Sequence, residues 1–198
     1  MFFNFHTHQF QCNALISACE KVENAAFWSL EYHPWHLPES FVVPGEDFFE
    51  KLASASALGE IGLDRLKGPA FTVQRQYFSF LLEAAARCRK PVVIHAVRCD
   101  SELDAALKNF SGKVLIHGFR GGEKRLAEHL DAGRFVSFAP GGWRHCTALL
   151  KQRGLARIGL ETDDAGIDIS SVYRQAQADT GIAGWEEICE KNFLQFIR

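Results

Sequence analysis

The sequence lacks the marks of a secreted, membrane-spanning or strongly basic protein. Its six cysteines include no C-x-x-C pair and none at zinc-knuckle spacing. Reduced, mostly buried thiols of a cytoplasmic protein are therefore expected, not a disulfide framework. No apolar run is long enough to span a bilayer. The opening Met1-Phe2-Phe3-Asn4-Phe5 has no basic segment, long apolar stretch or small-residue cleavage site, so neither a signal peptide nor a membrane partner is expected. Charge of one sign is not in excess either: the net charge is −2. That balance excludes binding to duplex nucleic acid by a basic surface alone. It does not exclude a nucleic-acid substrate, because metal ions in a site bring positive charge of their own. No low-complexity tract, charged tail or Pro-rich linker divides the chain, and residues 1–198 are read as one domain.

What is present is alternation. Short β-branched or aromatic runs read as strands at Phe2–Phe5, Ala26–Tyr32, Ser56–Ile61, Val92–His95, Val114–His117, Arg134–Phe138 and Arg157–Glu161. Amphipathic helical patterns fall at about 11–22, 45–54, 73–89, 101–110 and 124–132, with two more helices after the last strand, parted at Thr180–Gly184. Ser101 is the expected N-cap of the fourth pattern. Strict β/α alternation predicts a parallel α/β fold, and at this level a barrel and an open doubly wound sheet look alike, with the barrel modestly favoured. The expected architecture is a single-domain (β/α) TIM-like barrel of about seven parallel strands, shortened by one βα unit, because a full barrel takes roughly 250 residues.

The chemistry-bearing residues sit where these strands end. His6 and His8 are two apart in Phe5-His6-Thr7-His8, so they point to one side and suit one borderline metal ion. Alone, the pair reads better as two surface or turn histidines, since H-x-H is common by chance. Glu60 lies between glycines in Leu58-Gly59-Glu60-Ile61-Gly62-Leu63-Asp64, where burying a charge requires a cation or a dense hydrogen-bond shell. His95 and His117 end the apolar strands PVVIH and VLIH. Asp163 ends Gly159-Leu160-Glu161-Thr162-Asp163, where a carboxylate also suits a helix cap. Strand C-termini of a barrel converge on one rim. Four imidazoles and two carboxylates there are donors enough for two divalent cations.

The ordered segments FHTHQF, EYHPW, GEIGLD, PVVIHAVR, IHGFRGG and LETDD resemble the successive motifs of the TatD-type metal-dependent hydrolases, within the amidohydrolase-like barrels. Lys191-Asn192-Phe193 resembles that family's C-terminal element. The resemblance implies that His6, His8, Glu60 and Asp163 hold one metal, and that Glu60, His95 and His117 hold the second. It implies that His33 and Arg98 lie near a substrate phosphate and that single-stranded or 3′-end DNA is the substrate. Asp163 is the expected general base. Zn²⁺, Mn²⁺, Mg²⁺, Ni²⁺ and Fe²⁺ all suit such donors. Departures from the family pattern are the short interval from His8 to Glu60, Gly118-Phe119-Arg120-Gly121 after His117, and Arg65 after Asp64. Two alternatives stay open: the same bimetal site acting on another ester or amide, such as an aminoacyl ester, or a metal-free, non-catalytic relative. His36, His129 and His145 are read as surface or packing residues.

Overall fold

A computed structural model describes residues 1–198. Eight strands and seven α-helices form a parallel α/β fold of the TIM-like (β/α) class, alternating from the third strand to the eighth, and the strands follow one another in chain order. The strands are β1 Asn4–Thr7, β2 Ala14–Ala18, β3 Phe27–Leu30, β4 Ala57–Asp64, β5 Val92–Val97, β6 Val114–Ile116, β7 Phe135–Phe138 and β8 Ile158–Leu160. The helices are α1 Glu46–Ser54, α2 Phe71–Cys88, α3 Asp100–Leu107, α4 Glu123–Asp131, α5 Thr147–Arg153, α6 Ile169–Thr180 and α7 Trp185–Ile197. No helix is long and apolar enough to cross a membrane.

The strand count corrects the expectation of about seven, and the place of the shortening moves with it. The stretch read as a helix from Gln11 to Val22 contains β2, paired parallel to β1 with Asn4 opposite Ala14 and Thr7 opposite Ile16. No strand is missing; helices are. Neither β1 nor β2 is followed by one, and α1 is the first helix of the chain. The apolar run Ala14-Leu15-Ile16 is almost fully buried, which suits a strand buried on both faces as well as it suits a core helix. Ser101 is not a cap: α3 begins after Cys99, and the Ser101 hydroxyl donates to Glu102. A 3₁₀ turn at Gly142–Cys146 leads into α5, in a stretch where no element was expected.

By contact density the chain forms two compact units: residues 1–16, 24–27 and 115–198, and residues 17–23 and 28–114. In the first unit, β6, β7 and β8 pair in sequence, and Thr7 bridges to Asp163 just past β8. Strand parity divides β1. Phe3 and Phe5 pack on Phe193 of α7, with ring centroids 4.9 and 5.4 Å apart, while Asn4 and His6 take the opposite side. Phe27 joins the same ring at 5.1 Å, and Tyr173 of α6 donates its hydroxyl to the Phe3 carbonyl. The C-terminal helices thus cover β1, which has no helix of its own.

In the second unit, β3, β4 and β5 pair in parallel, with Gly62 opposite His95 and the β4/β5 register shifting between Leu58 and Ile61. Both glycines flanking Glu60 are needed for this approach. A Cβ on Gly59 would stand 2.6 Å from Val93, and one on Gly62 1.9 Å from the His95 carbonyl oxygen. The basic cluster Arg87-Arg89-Lys90 is structural in part: Lys90 donates to the carbonyls of Ala53 and Ala55 at the end of α1.

Candidate metal centre

Glu60 is the centre of a cluster in the second unit. It is only 2% exposed, and one carboxylate oxygen lies 2.7 Å from His95 Nδ1 and 3.0 Å from His33 Nε2. Its backbone N–H donates to Ser17 Oγ of β2 at 3.2 Å, a hold that comes from two strands away in the sheet order. His33 has its tautomer set by the backbone: Nδ1 accepts from the Trp35 N–H at 3.1 Å, so the proton belongs on Nε2, the nitrogen facing Glu60. A nitrogen carrying that proton cannot ligate a cation. His33 is therefore a hydrogen-bond donor here, in keeping with a place beside an anion and not with a place in a metal's shell.

His95 is sandwiched between carboxylates. Its Nδ1 meets Glu60, and its Nε2 lies 3.0 Å from Asp64 Oδ2. A carboxylate only accepts, and a neutral imidazole has one N–H and one lone pair. In that form it satisfies one acceptor by a hydrogen bond and leaves its lone pair for a cation shared with the other carboxylate, whereas an imidazolium would donate to both. That is the pattern of a metal-binding histidine steadied by an outer carboxylate. Asp64 is 3% exposed and also accepts from Trp35 Nε1 at 2.6 Å and from the Leu66 and Lys67 amides at 2.7 and 3.2 Å. Burial works against its charge; the bonds from Trp35, His95 and Leu66 outweigh burial and hold the carboxyl below its ordinary range. The loop after Asp64 is fixed in turn by Gln74, whose amide donates to the Asp64, Lys67 and Pro69 carbonyls.

The second cluster belongs to the first unit. His6 Nε2 lies 3.7 Å and His8 Nε2 3.8 Å from Asp163 Oδ1, and the His6 ring is 4.4 Å from that of His117. Donor atoms of His6, His117 and Asp163 lie within 4.8 Å of one another, as do those of His8, Asp163 and Asp164. Asp163 takes a left-handed backbone, φ 51°, and is pinned by its N–H to the His6 carbonyl at 3.1 Å. Helix capping is not its task, since α6 is capped by Asp168, which accepts from the Ser170 N–H. Behind His117 stands Glu161, fully buried, 3.4 Å from Nδ1, accepting from the Gly118 amide at 2.8 Å and from the Ser137 hydroxyl. Burial alone would raise its carboxyl, yet the bond from His117, the nearness of the His117 and His6 rings and the Ser137 bond keep it lowered. A proton on His117 Nδ1 leaves Nε2 for a cation. Both clusters therefore have the donor chemistry of divalent-metal sites.

Every expected ligand thus falls in one cluster or the other. Arg98 follows β5 in a left-handed conformation, φ 53°, with its side chain exposed. His129 is packed on α4 against Arg134, Trp143 is core with its indole N–H on Asp179, and His36 and His145 are exposed. Sequence reasoning missed Asp64, Glu161 and Ser137 as supports. Asp64 and Glu161 lie inside the motifs GEIGLD and LETDD, which is the signal that could have flagged them.

The profile of the family described as "TatD related DNase" matches residues 1–168. No protein of curated function matches the chain. Among solved structures, YjjV, a TatD homologue from Escherichia coli, is similar at 18% identity and a TM-score of 0.72, over 98% of this chain and 95% of that one. A TatD-family hydrolase from Entamoeba histolytica aligns at 18% identity and 0.57, over 75% and 63%. The phosphotriesterase homology protein from E. coli, crystallised with phosphate in its active site, aligns at 15% identity and 0.61, over 94% and 75%. At these identities the structures bear on the fold, whereas the profile spans most of the sequence: the chain belongs to the TatD-related DNase family of hydrolases.

Proposed function

We propose that the chain is a divalent-metal-dependent phosphodiesterase acting on DNA, an exonuclease-like hydrolase of single-stranded or 3′-terminal substrate. The observation that carries this reading is the buried Glu60 with His95 at 2.7 Å and the proton-bearing nitrogen of His33 at 3.0 Å. In this proposal His6, His8, Glu60 and Asp163 hold one cation, and Glu60, His95 and His117 the other. Cations bound there supply Lewis acidity toward a phosphoryl oxygen and lower the pKa of water. Asp163 accepts the proton of the attacking water as general base. His33, with its Nε2 proton, and Arg98, with its exposed guanidinium, bind the phosphate oxygens as charge develops. Cytoplasmic placement accords with the free state of all six cysteines.

The test is degradation of a labelled single-stranded oligonucleotide by the full chain, with and without added Mn²⁺ or Zn²⁺, beside Glu60→Ala. Metal-dependent shortening that Glu60→Ala abolishes is expected. Turnover of carboxylic or aminoacyl esters without cleavage of DNA would transfer the machinery to a different bond. Absence of bound metal after dialysis against Zn²⁺ would make the chain a non-catalytic relative.

A further inference from the structure

Trp28, Trp143 and Trp185 are core residues, 0–3% exposed, whereas Trp35 is 38% exposed. Exposure of a large aromatic ordinarily goes with mobility, but this indole is fastened at several points. Its N–H is donated to the buried Asp64 at 2.6 Å, its backbone N–H goes to His33 Nδ1, and its ring stands edge-on to His33 and His95 at 4.6 and 5.5 Å. Lys67 places its ammonium 3.8 Å from the ring centroid, and Leu66 beside it is 59% exposed. Asp64, Leu66 and Lys67 belong to the loop that Gln74 clamps. A rigid, solvent-facing indole with a cation over it, next to two histidines of the Glu60 cluster, is not explained by packing.

We propose that Trp35 is a stacking platform for a nucleobase, with Lys67 supplying the cation for a phosphate of the same nucleotide. Every base has a π-face, so such a platform favours nucleotide over bare sugar phosphate without reading sequence. A ring already held in place loses little freedom when a base lies on it. The choice of ligand rests on the nuclease reading above, and it makes that reading narrower: the enzyme grips the base adjoining the phosphate it attacks.

The test uses thymidine 5′-monophosphate and 2-deoxyribose 5-phosphate as probes for the full chain. Trp35 is the one partly exposed tryptophan, so thymidine 5′-monophosphate should quench its fluorescence. Calorimetry should show the nucleotide binding about five- to a hundredfold more tightly than the sugar phosphate. Trp35→Phe keeps a ring and loses the bond to Asp64; Trp35→Leu loses both. The preference should survive in Trp35→Phe and vanish in Trp35→Leu, with Zn²⁺ content measured in each. Equal affinity for the two probes in the wild type, no nucleotide binding, or a preference retained by Trp35→Leu overturns the platform. Oligonucleotide cleavage on the same preparations separates the two proposals. Cleavage without base preference removes the platform alone, and base preference without cleavage removes the nuclease.

Discussion

Replacing Asp64 by Asn probes the support behind His95 at constant shape. The carboxylate accepts four hydrogen bonds: Oδ2 takes those of Trp35 Nε1 and His95 Nε2, and Oδ1 those of the Leu66 and Lys67 amides. An amide offers one accepting oxygen, so its NH₂ must face two donors on one side or the other. A hydrogen bond to a charged group contributes about 1.5–3 kcal/mol. Losing two such bonds, with partial relaxation, should cost about 3–5 kcal/mol. That is a large share of the roughly 5–15 kcal/mol by which a domain is stable, and urea unfolding followed by circular dichroism would register it. Loss of an outer partner of a metal-binding histidine typically weakens metal affinity about 10- to 100-fold. Zn²⁺ affinity measured by chelator competition should fall accordingly. Acid should act in the same direction: with its carboxyl held low, Asp64 contributes fully above its ordinary value of 3.8 and loses that contribution as the pH drops through the folded value. Stability within about 0.5 kcal/mol of wild type, together with Zn²⁺ affinity changed less than twofold, would refute the assignment of Asp64 as the support of His95.

Asp163→Asn should leave most bound metal in place while turnover collapses; near-normal cleavage of the oligonucleotide would remove Asp163 from the role of base. Asn192→Ala strips the donors from the carbonyls of Leu155 and Ile158, now 2.7 and 2.8 Å from its amide, and should lower stability by about 2–4 kcal/mol with metal binding unchanged. Burial pushes the thiols of Cys99 and Cys146 up to about 11 and that of Cys189 to about 12. At pH 8 these three should stay protonated and resist a thiol reagent until urea is added. Exposed Cys12 should react at once, and Cys19, raised by partial burial and by Glu31 and Glu20, more slowly; mass spectrometry of labelled peptides gives the order. Gly62→Ala, whose Cβ would collide with the His95 carbonyl, should yield little folded protein by gel filtration.

The ends of strands were the legible part of the sequence. Period-two spacing put His6 and His8 on one side, and apolar runs ending in His marked His95 and His117; the structure places all of these in clusters with carboxylates. The alternation of elements gave the fold class as well. Residues 11–22 misled because a short buried apolar stretch carries no period that separates strand from helix. Asp64 and Glu161 went unassigned for a different reason. A supporting role is defined by the partner, and the Asp64 partners Trp35 and His95 lie 29 and 31 positions away. His33 was placed beside the substrate by resemblance, and what its spacing could not tell was its tautomer, which depends on one backbone N–H two residues on.

The cover over the opening strands comes from the far end of the chain. Phe3 and Phe5 lean on Phe193, and the Phe3 carbonyl waits for a hydroxyl 170 positions later. During synthesis β1 therefore emerges with its oily side bare and stays so until α6 and α7 have been translated. The loop to be closed is long, and such distant pairing is slow and prone to aggregation. A ribosome-bound fragment ending near residue 168, where the family profile stops, should bind hydrophobic dyes and chaperones that the finished chain ignores.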